Sequence, residues 1–157
     1  MRIAGYTDNQ KYRQRGVLMN INKFTQKSLQ AVEGCQKLAF EYGNQEIEQE
    51  HLLYSLLTME DSLISKLIEK MEIQLQYFTN QAEALLAKRT KVQGGQPYVG
   101  QDLNKVLISA ENELKVFGDE YVSVEHLFLA MIQHPNKAIK ELFKEFGITR
   151  ERFLQAL

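Results

Sequence analysis

The chain has 157 residues, of which 44% are hydrophobic and 25% are charged, and its formal net charge is −1. This composition is ordinary for one globular domain, and no apolar run approaches the roughly 20 residues that a membrane-spanning helix needs. The near-neutral charge argues against a surface that binds nucleic-acid phosphates, and the single cysteine excludes a disulfide framework and a cysteine-based zinc cluster.

The first 18 residues, MRIAGYTDNQKYRQRGVL, follow no sustained helical or strand period. We interpret residues 1–18 as a leader, an expression extension or a mis-set start, and we expect them to be flexible. Their basic residues leave a short nucleic-acid-binding arm as the functional alternative. The patterned domain then occupies residues 19–157.

Internal repetition is the dominant pattern in the rest of the chain. At an offset of 75 positions, residues 24–82 (repeat one) align with residues 99–157 (repeat two) without a gap. Most identical pairs are apolar residues or glycine. They include Gly43 with Gly118, Leu52 with Leu127, Ile64 with Ile139, Leu67 with Leu142, Ile73 with Ile148 and Phe78 with Phe153.

Within each repeat the apolar positions recur at helical spacing. In repeat one, Val32, Cys35 and Ala39 share one face of a helix that ends at Gly43, a residue that tolerates the left-handed conformation. One predicted helix begins at about residue 50. The other predicted helices cover residues 25–42, 62–71, 74–88, 102–117, 125–133, 137–146 and 149–157. Glycine and proline in residues 88–100 predict a flexible connector. The predicted fold is all-α, with two four-helix repeats related by pseudo-twofold symmetry and packed as one domain.

The tripeptide Glu-His-Leu occurs once in each repeat, at residues 50–52 and 125–127. Neighbouring helical residues point about 100° apart, so one Glu-His pair cannot hold a metal ion alone. Further ligands would have to come from the other repeat or from His134. We therefore predict no metal site.

A structural role for this tripeptide fits its residue types better. Glu50 and Glu125 are expected in the first turn of a helix, where a carboxylate interacts favourably with the helix dipole. His51 and His126 are expected to be partly buried and to hold the preceding loop through a ring hydrogen bond. The predicted structural joint of the repeats comprises Gly43, Glu50, His51, Gly118 and His126.

Catalytic motifs are missing from the sequence. Spacing assigns no Ser-His-Asp or Cys-His pairing, and no G-x-x-x-x-G-K phosphate loop occurs. Cys35 is expected to be a small core residue. We predict no catalytic residue and no cofactor in this domain. A small enzyme built around His51 and His126 is the alternative, and it would need the two imidazoles close together.

Three segments together carry a family resemblance: FTQKSLQAV (24–32), NQEIEQEHLL (44–53) and DEYVSVEHLF (119–128). With them, residues 19–157 resemble the Clp N-terminal domain of ClpB-type AAA+ protein disaggregases. The resemblance implies a non-catalytic domain that recruits unfolded or aggregated polypeptides and is joined by a mobile linker to the two ATPase rings of an AAA+ hexamer. ATP and Mg²⁺ would belong to those rings, and a co-chaperone system is a further implied partner.

The resemblance also implies specific site residues. The positions that match the family's client-handling residues are Thr25, Asp119 and Glu125, and all three have the family's residue type. Each also has a structural interpretation: Thr25 as a helix cap, Asp119 as a partner for the loop after Gly118, and Glu125 as a dipole partner.

One residue departs from the family pattern. Gly100 stands where many relatives carry a serine before the first helix of repeat two, which removes a capping side chain. We therefore expect this helix to begin raggedly or at Asp102.

Two functional classes stay open at this point. A disaggregase module would bind unfolded or aggregated chains, whereas an adaptor-docking domain of a protease-coupled Clp ATPase would bind one dedicated folded protein. The sequence of residues 119–127, DEYVSVEHL, favours the disaggregase module. We expect a cytoplasmic protein without membrane or nucleic-acid partners, monomeric as an isolated domain.

Overall fold

Eight α-helices and one pair of short strands make up residues 21–157, the part of the chain that this computed structural model describes. The helices are α1 Gln26–Glu41, α2 Gln49–Thr58, α3 Leu63–Lys70, α4 Leu75–Ala87, α5 Gln101–Phe117, α6 Val124–Gln133, α7 Lys137–Glu145 and α8 Arg150–Ala156. The strands are β1 Glu46–Ile47 and β2 Tyr98–Val99, and a short 3₁₀ helix covers Ile21–Lys23. In this part of the chain no helix has the length and apolar character needed to cross a membrane. The predicted leader, residues 1–18, lies outside the described residues.

Side-chain caps set the starts of several helices. The Thr25 hydroxyl accepts a hydrogen bond from the Ser28 backbone N–H at 3.1 Å, before α1. The Ser62 hydroxyl accepts one from the Ser65 N–H at 3.0 Å, before α3. Such caps satisfy backbone donors that the first helical turn leaves unpaired. The helices lie close to the predicted ranges, and the all-α prediction is confirmed.

Two matching parallel contacts join the repeats to each other. Strand β1 of repeat one pairs with β2, which leads into repeat two, and Ile47 lies opposite Val99. The reciprocal bridge joins Phe24, which leads into repeat one, with Val122 of repeat two. At the offset of 75, Phe24 is equivalent to Val99 and Ile47 to Val122. The two contacts are therefore one interaction made twice, as a pseudo-twofold axis requires.

The hydrogen bonds at these contacts are equivalent as well. The Gly100 N–H donates to the Ile47 carbonyl at 2.8 Å, and the Thr25 N–H donates to the Val122 carbonyl at 2.9 Å. Each repeat thus uses the residue before its own first helix to bind the loop before the other repeat's second helix. We name the region around Gly100 and Ile47 the polar junction, and the region around Thr25 and Val122 the apolar junction.

One hydrophobic core runs through both repeats. Its buried members extend from Phe24 to Ala156 as a single cluster. Phe78 of repeat one lies edge-on to Phe146 of repeat two, with ring centroids 4.9 Å apart. Because edge-to-face aromatic pairs add to the free energy of apolar burial, such contacts hold the repeats together as one unit.

The connector between the repeats is bonded to repeat one. The Val92 N–H donates to the Gly43 carbonyl at 2.9 Å, and the Asn44 side chain donates to the Thr90 carbonyl at 3.0 Å. Farther along, β2 belongs to the polar junction. The segment predicted as a flexible connector, residues 88–100, is therefore attached at both ends.

The start of α5 lies one residue before Asp102, one of the two starts expected from the sequence. The helix begins at Gln101, directly after Gly100, although Gly100 has no capping side chain. Glu48 of repeat one supplies the cap: one carboxylate oxygen accepts from the Asp102 N–H at 3.1 Å, and the other accepts from the Gln49 N–H at 3.0 Å. One buried carboxylate therefore caps α2 and α5 together.

Glycine at position 100 is what makes room for this carboxylate. A Cβ atom added at Gly100 would collide with the Glu48 carboxylate. Burial raises the pKa of Glu48 to about 7, against the two backbone hydrogen bonds from Gln49 and Asp102 that favour its charged form. Gly100 and Glu48 thus depend on each other.

A double-mutant cycle tests this dependence. Gly100→Thr is expected to destabilise the domain by about 1–3 kcal/mol, because the new side chain displaces a buried, hydrogen-bonded carboxylate. The equivalent positions in the apolar junction are Thr25 and Ser123, so Glu48→Ser/Gly100→Thr installs a pair that the fold already uses. In chemical unfolding, the double variant should exceed the stability expected from the single variants by at least about 1 kcal/mol. Strict additivity would show that the two residues are independent.

Candidate functional site

An apolar pocket opens at the apolar junction, where α1, α3 and α6 begin. Its volume is about 390 Å³. It is lined by Thr25, Gln26, Lys27, Met59, Asp61, Leu63, Ser123, Val124 and Glu125. Val124 is buried at its base, and Leu63 is 37% exposed at its rim. The structure thus brings Thr25 and Glu125 together, whereas Asp119 does not line the pocket.

A second pocket, the polar pocket, occupies the equivalent position at the polar junction. Its volume is about 530 Å³. It is lined by Glu46, Glu48, Arg89, Tyr98, Val99, Gln101, Asp102 and Asn136. Four of these residues are the offset-75 equivalents of apolar-pocket residues: Gln101 of Gln26, Asp102 of Lys27, Glu48 of Ser123 and Asn136 of Asp61. The two pockets are therefore the same place in the two halves of the fold.

The first residue of the second helix of each repeat distinguishes the two junctions. At the polar junction this residue is Gln49, which is fully buried and bonded on every side. Its side-chain amide donates to the Asp102 and His134 carbonyls at 3.1 and 2.8 Å, and its oxygen accepts from the Asn136 N–H at 2.8 Å. The equivalent residue at the apolar junction is Val124, which has no polar group to bond. The Gln49 side chain therefore bridges the repeats at the polar junction, whereas the apolar junction has an apolar side chain at this position.

The two first-turn glutamates differ in the same way. Glu50 is buried and binds Arg89 at 2.8 Å and the Asn136 side chain at 2.8 Å. Within residues 21–157, its equivalent Glu125 takes part in no ion pair. Both lie in the first turn of their helices, where the dipole favours a carboxylate. Of the two, Glu125 lines the apolar pocket with a carboxylate that has no ion pair in the described part of the chain.

Both histidines close a capping box. The His51 Nδ1 accepts from the Glu48 N–H at 2.9 Å, and the His126 Nδ1 accepts from the Ser123 N–H at 2.9 Å. A ring nitrogen that accepts carries no proton, so both rings are neutral and protonated on Nε2. The rings are 0% and 2% exposed, so the expectation of partial burial was wrong. Burial lowers the pKa of His51 to about 4, and the nearby Arg89 guanidinium adds to the effect.

Asp119 acts on the loop rather than on the pocket. The Nε2 of His126 lies 2.9 Å from the Asp119 carboxylate, and the Nε2 of His51 lies 2.9 Å from the Asn44 side-chain oxygen. Asn44 is the offset-75 equivalent of Asp119. In both histidines the Nε2–H group donates the hydrogen bond. The acceptor is an asparagine side chain in repeat one and an aspartate side chain in repeat two. The loops that start at Gly43 and Gly118, both with positive φ, are each held by such a ring.

Thr25 also has internal bonds. Its hydroxyl accepts from the Ser28 N–H and donates to the Ser28 hydroxyl at 3.0 Å. The Ser28 hydroxyl in turn donates to the Val122 carbonyl at 2.7 Å. Thr25 therefore both caps α1 and steadies the loop across the junction.

Nothing in this arrangement favours a metal or an imidazole-based active site. Both ring nitrogens of His51 and of His126 are bonded within their own repeats. Among residues 21–157, no group of three or more His, Cys, Asp or Glu side chains is arranged to hold a metal ion. The junctions can offer shape, apolar surface and a few charges to a ligand.

The sequence profile of the family described as the Clp repeat (R) N-terminal domain matches residues 23–146. The chain belongs to this family. The matched residues include both junctions and every residue that lines the apolar pocket. This Clp domain therefore contains the duplicated unit that the family name describes.

Relatives and solved structures agree with this assignment. The chaperone protein ClpB of Nitratidesulfovibrio vulgaris is 37% identical over 145 residues, which cover 88% of this chain but only 17% of ClpB. The Hsp104 N-terminal domain from Candida albicans has a TM-score of 0.75 at 19% identity, covering 85% of this chain and 88% of that one. A ClpV N-domain solved in complex with a VipB peptide has a TM-score of 0.70 at 21% identity, covering 87% and 89%. The chain spans about one sixth of the length of this ClpB relative.

Sequence reasoning missed the residues that separate the two pockets. Glu48, Gln49 and Val124 were not among the predicted site residues, and neither were Met59 and Leu63. The alignment of the two repeats contained a usable signal, because it pairs the buried Gln49 of repeat one with Val124 of repeat two. Positions where duplicated units differ in polarity indicate where their surroundings differ.

The equivalence of Asp119 and Asn44 generates a prediction about loop stability. Asp119→Asn should leave the free energy of unfolding within about 0.5 kcal/mol of wild type, because Asn44 makes the same bond in repeat one. Asp119→Ala should cost about 1–2 kcal/mol, because the buried His126 loses its acceptor. Thermal and urea unfolding of both variants measure this, with Glu120→Ala on the same loop as a control. Equal losses for the asparagine and alanine variants would disprove the bonding role.

The neutral, buried His51 predicts a pH dependence of stability. Its pKa is about 4 when folded against an ordinary value of 6.5, so the unfolded chain binds more protons between these values. This contribution to stability is complete above pH 6.5 and is lost as the pH falls toward 4. His51→Gln keeps an acceptor for the Glu48 N–H and does not titrate. Urea unfolding at several pH values should show wild type losing on the order of 2–3 kcal/mol more than His51→Gln across this window. Parallel pH profiles would contradict a neutral His51.

Proposed function

We propose that this domain recruits unfolded or aggregated polypeptides for an ATP-dependent protein disaggregase, delivers them to its AAA+ ring, and carries out no catalytic step itself. The observation that carries the proposal is the apolar pocket, with Thr25 and Glu125 beside its apolar surface. Similarity to ClpB, together with the peptide complex of a ClpV N-domain, supports polypeptides as the ligand class.

The lining of the pocket suits one apolar side chain of an extended segment. Met59, Leu63 and Val124 provide apolar surface, and methionine adapts its shape to different partners. Lys27, Asp61 and Glu125 at the same pocket can meet the polar groups on either side of that side chain. An adaptable apolar site with charged residues around it suits client segments of many different sequences better than one specific sequence.

The predicted client-binding residues then have different roles. Glu125 is proposed to contact the client directly, because its carboxylate has no ion pair in the described structure. Thr25 is proposed to shape the pocket through its cap on α1. Asp119 is proposed to act through His126 and the loop that presents Ser123 and Val124.

Weak binding is expected from a pocket of this kind. A disordered client loses conformational entropy when it is captured, and only a short part of it fits a volume of about 390 Å³. A recruiting domain must also release its client to the ring. We expect dissociation constants in the micromolar range or weaker.

Binding of a permanently unfolded protein tests the proposal. Reduced, carboxymethylated α-lactalbumin carrying a fluorophore is titrated with the domain, and fluorescence anisotropy gives the affinity. Leu63→Glu should weaken binding at least fivefold, because it puts a charge at the rim of the apolar pocket. Ile108→Glu is the matched control, since Leu63 and Ile108 are 37% and 40% exposed and Ile108 lies outside the pocket.

The outcomes separate the rival functions. Unchanged binding by Leu63→Glu, or an equal loss with Ile108→Glu, would reject the apolar pocket as the client site. Affinity for one folded protein with none for the unfolded chain would favour an adaptor-docking domain. Among Thr25→Ala, Asp119→Ala and Glu125→Ala, unchanged binding in all three would reject a role of those residues in client binding.

A further inference from the structure

A third pocket lies in repeat two and shares no lining residue with the polar pocket. It is a groove of about 510 Å³ between the end of α6, α7 and the start of α8. Its apolar surface comes from Ile132, Pro135, Phe143 and Ile148, and Lys140 and Lys144 stand over it. We name it the basic groove. It shares no lining residue with the apolar pocket.

The charge of this groove has one sign. Lys140 and Lys144 are four residues apart on α7, so their side chains lie on one face, one turn apart. Both are exposed, and neither forms an ion pair within the described residues. No aspartate or glutamate lines the groove. The lining of the groove therefore carries two lysines and no acidic residue, while Glu141 and Glu145 lie elsewhere on the same helix.

Repeat one shows that the helical fold does not require these lysines. The equivalents of Lys140 and Lys144 are Ser65 and Glu69, on a helix of the same unit. The Ser65 hydroxyl donates to the Leu57 carbonyl at 2.7 Å and so serves the interior of its own repeat. The equivalent positions of repeat one therefore carry a serine and a glutamate where repeat two carries two lysines.

We propose that the basic groove binds an acidic amphipathic segment of a partner protein. An apolar side chain of that segment lies against Ile132 and Pro135, the half-buried apolar residues of the lining, and carboxylates on either side pair with Lys140 and Lys144. Charge complementarity decides the class of partner, because an acidic segment gains from both lysines and a basic one is repelled. Exposed ion pairs contribute little each, so the interaction is weak and weakens further as salt rises.

A peptide titration tests this proposal on the whole chain. The probe is a short fluorescein-labelled peptide in which glutamates flank a Phe-Leu pair, followed by anisotropy at low salt. Lys140→Ser/Lys144→Glu installs the residues of repeat one and should weaken binding at least fivefold. Lys37→Ser/Lys88→Glu makes the same change in net charge at exposed lysines outside the groove, and should stay within about twofold of wild type. Circular dichroism confirms that both variants are folded.

Companion peptides make the result specific. Replacing the glutamates of the probe by lysines, or its Phe-Leu pair by alanines, should each abolish measurable binding. Equal losses in the two double variants, no loss in either, or retained binding of the lysine peptide would overturn the proposal. So would sedimentation showing that the domain self-associates and that only Lys140→Ser/Lys144→Glu makes it monomeric, because the occupant would then be a second copy of the chain.

Discussion

The pairing of each repeat's leading segment with the opposite repeat is the interaction on which the rest of the structure depends. Strands β1 and β2 form one contact, and Phe24 with Val122 forms its symmetric counterpart. Each contact joins the start of one repeat's first helix to the loop before the other repeat's second helix. Neither repeat has a complete set of backbone partners by itself, and this is why the duplicated sequence forms one domain with one core.

The same pairing creates two equivalent places whose side chains have diverged. At the polar junction, Glu48 and Gln49 bond to the opposite repeat, and Arg89 and Asn136 neutralise and hold Glu50. Buried polar groups are stable only when their bonds are complete, and here the protein completes them itself. At the apolar junction the equivalents of Glu48 and Gln49 are the smaller Ser123 and the apolar Val124, so these bonds to the opposite repeat are not made and the pocket there is lined with apolar surface.

His51 and His126 form the same pair of hydrogen bonds in their respective repeats. Each neutral ring accepts a hydrogen bond from the residue before its helix and donates across the loop, to Asn44 in one repeat and to Asp119 in the other. In repeat two, that loop carries Ser123, Val124 and Glu125 to the apolar pocket. Asp119 does not line the pocket, but through His126 it positions the loop that does.

The sequence by itself determined the fold class, the repeats and the approximate helix bounds, because helical spacing and glycine at helix ends are local properties of a chain. It did not reveal the shared carboxylate of Glu48 or the difference between Gln49 and Val124. These depend on residues more than 50 positions apart meeting across the pseudo-twofold axis. Gly100 shows the limit most clearly: sequence predicted a poorly capped helix, whereas the cap comes from the opposite repeat. Tertiary structure alone decided which junction is bridged and which is open, since burial and hydrogen bonding across the interface set the free energy of each polar group.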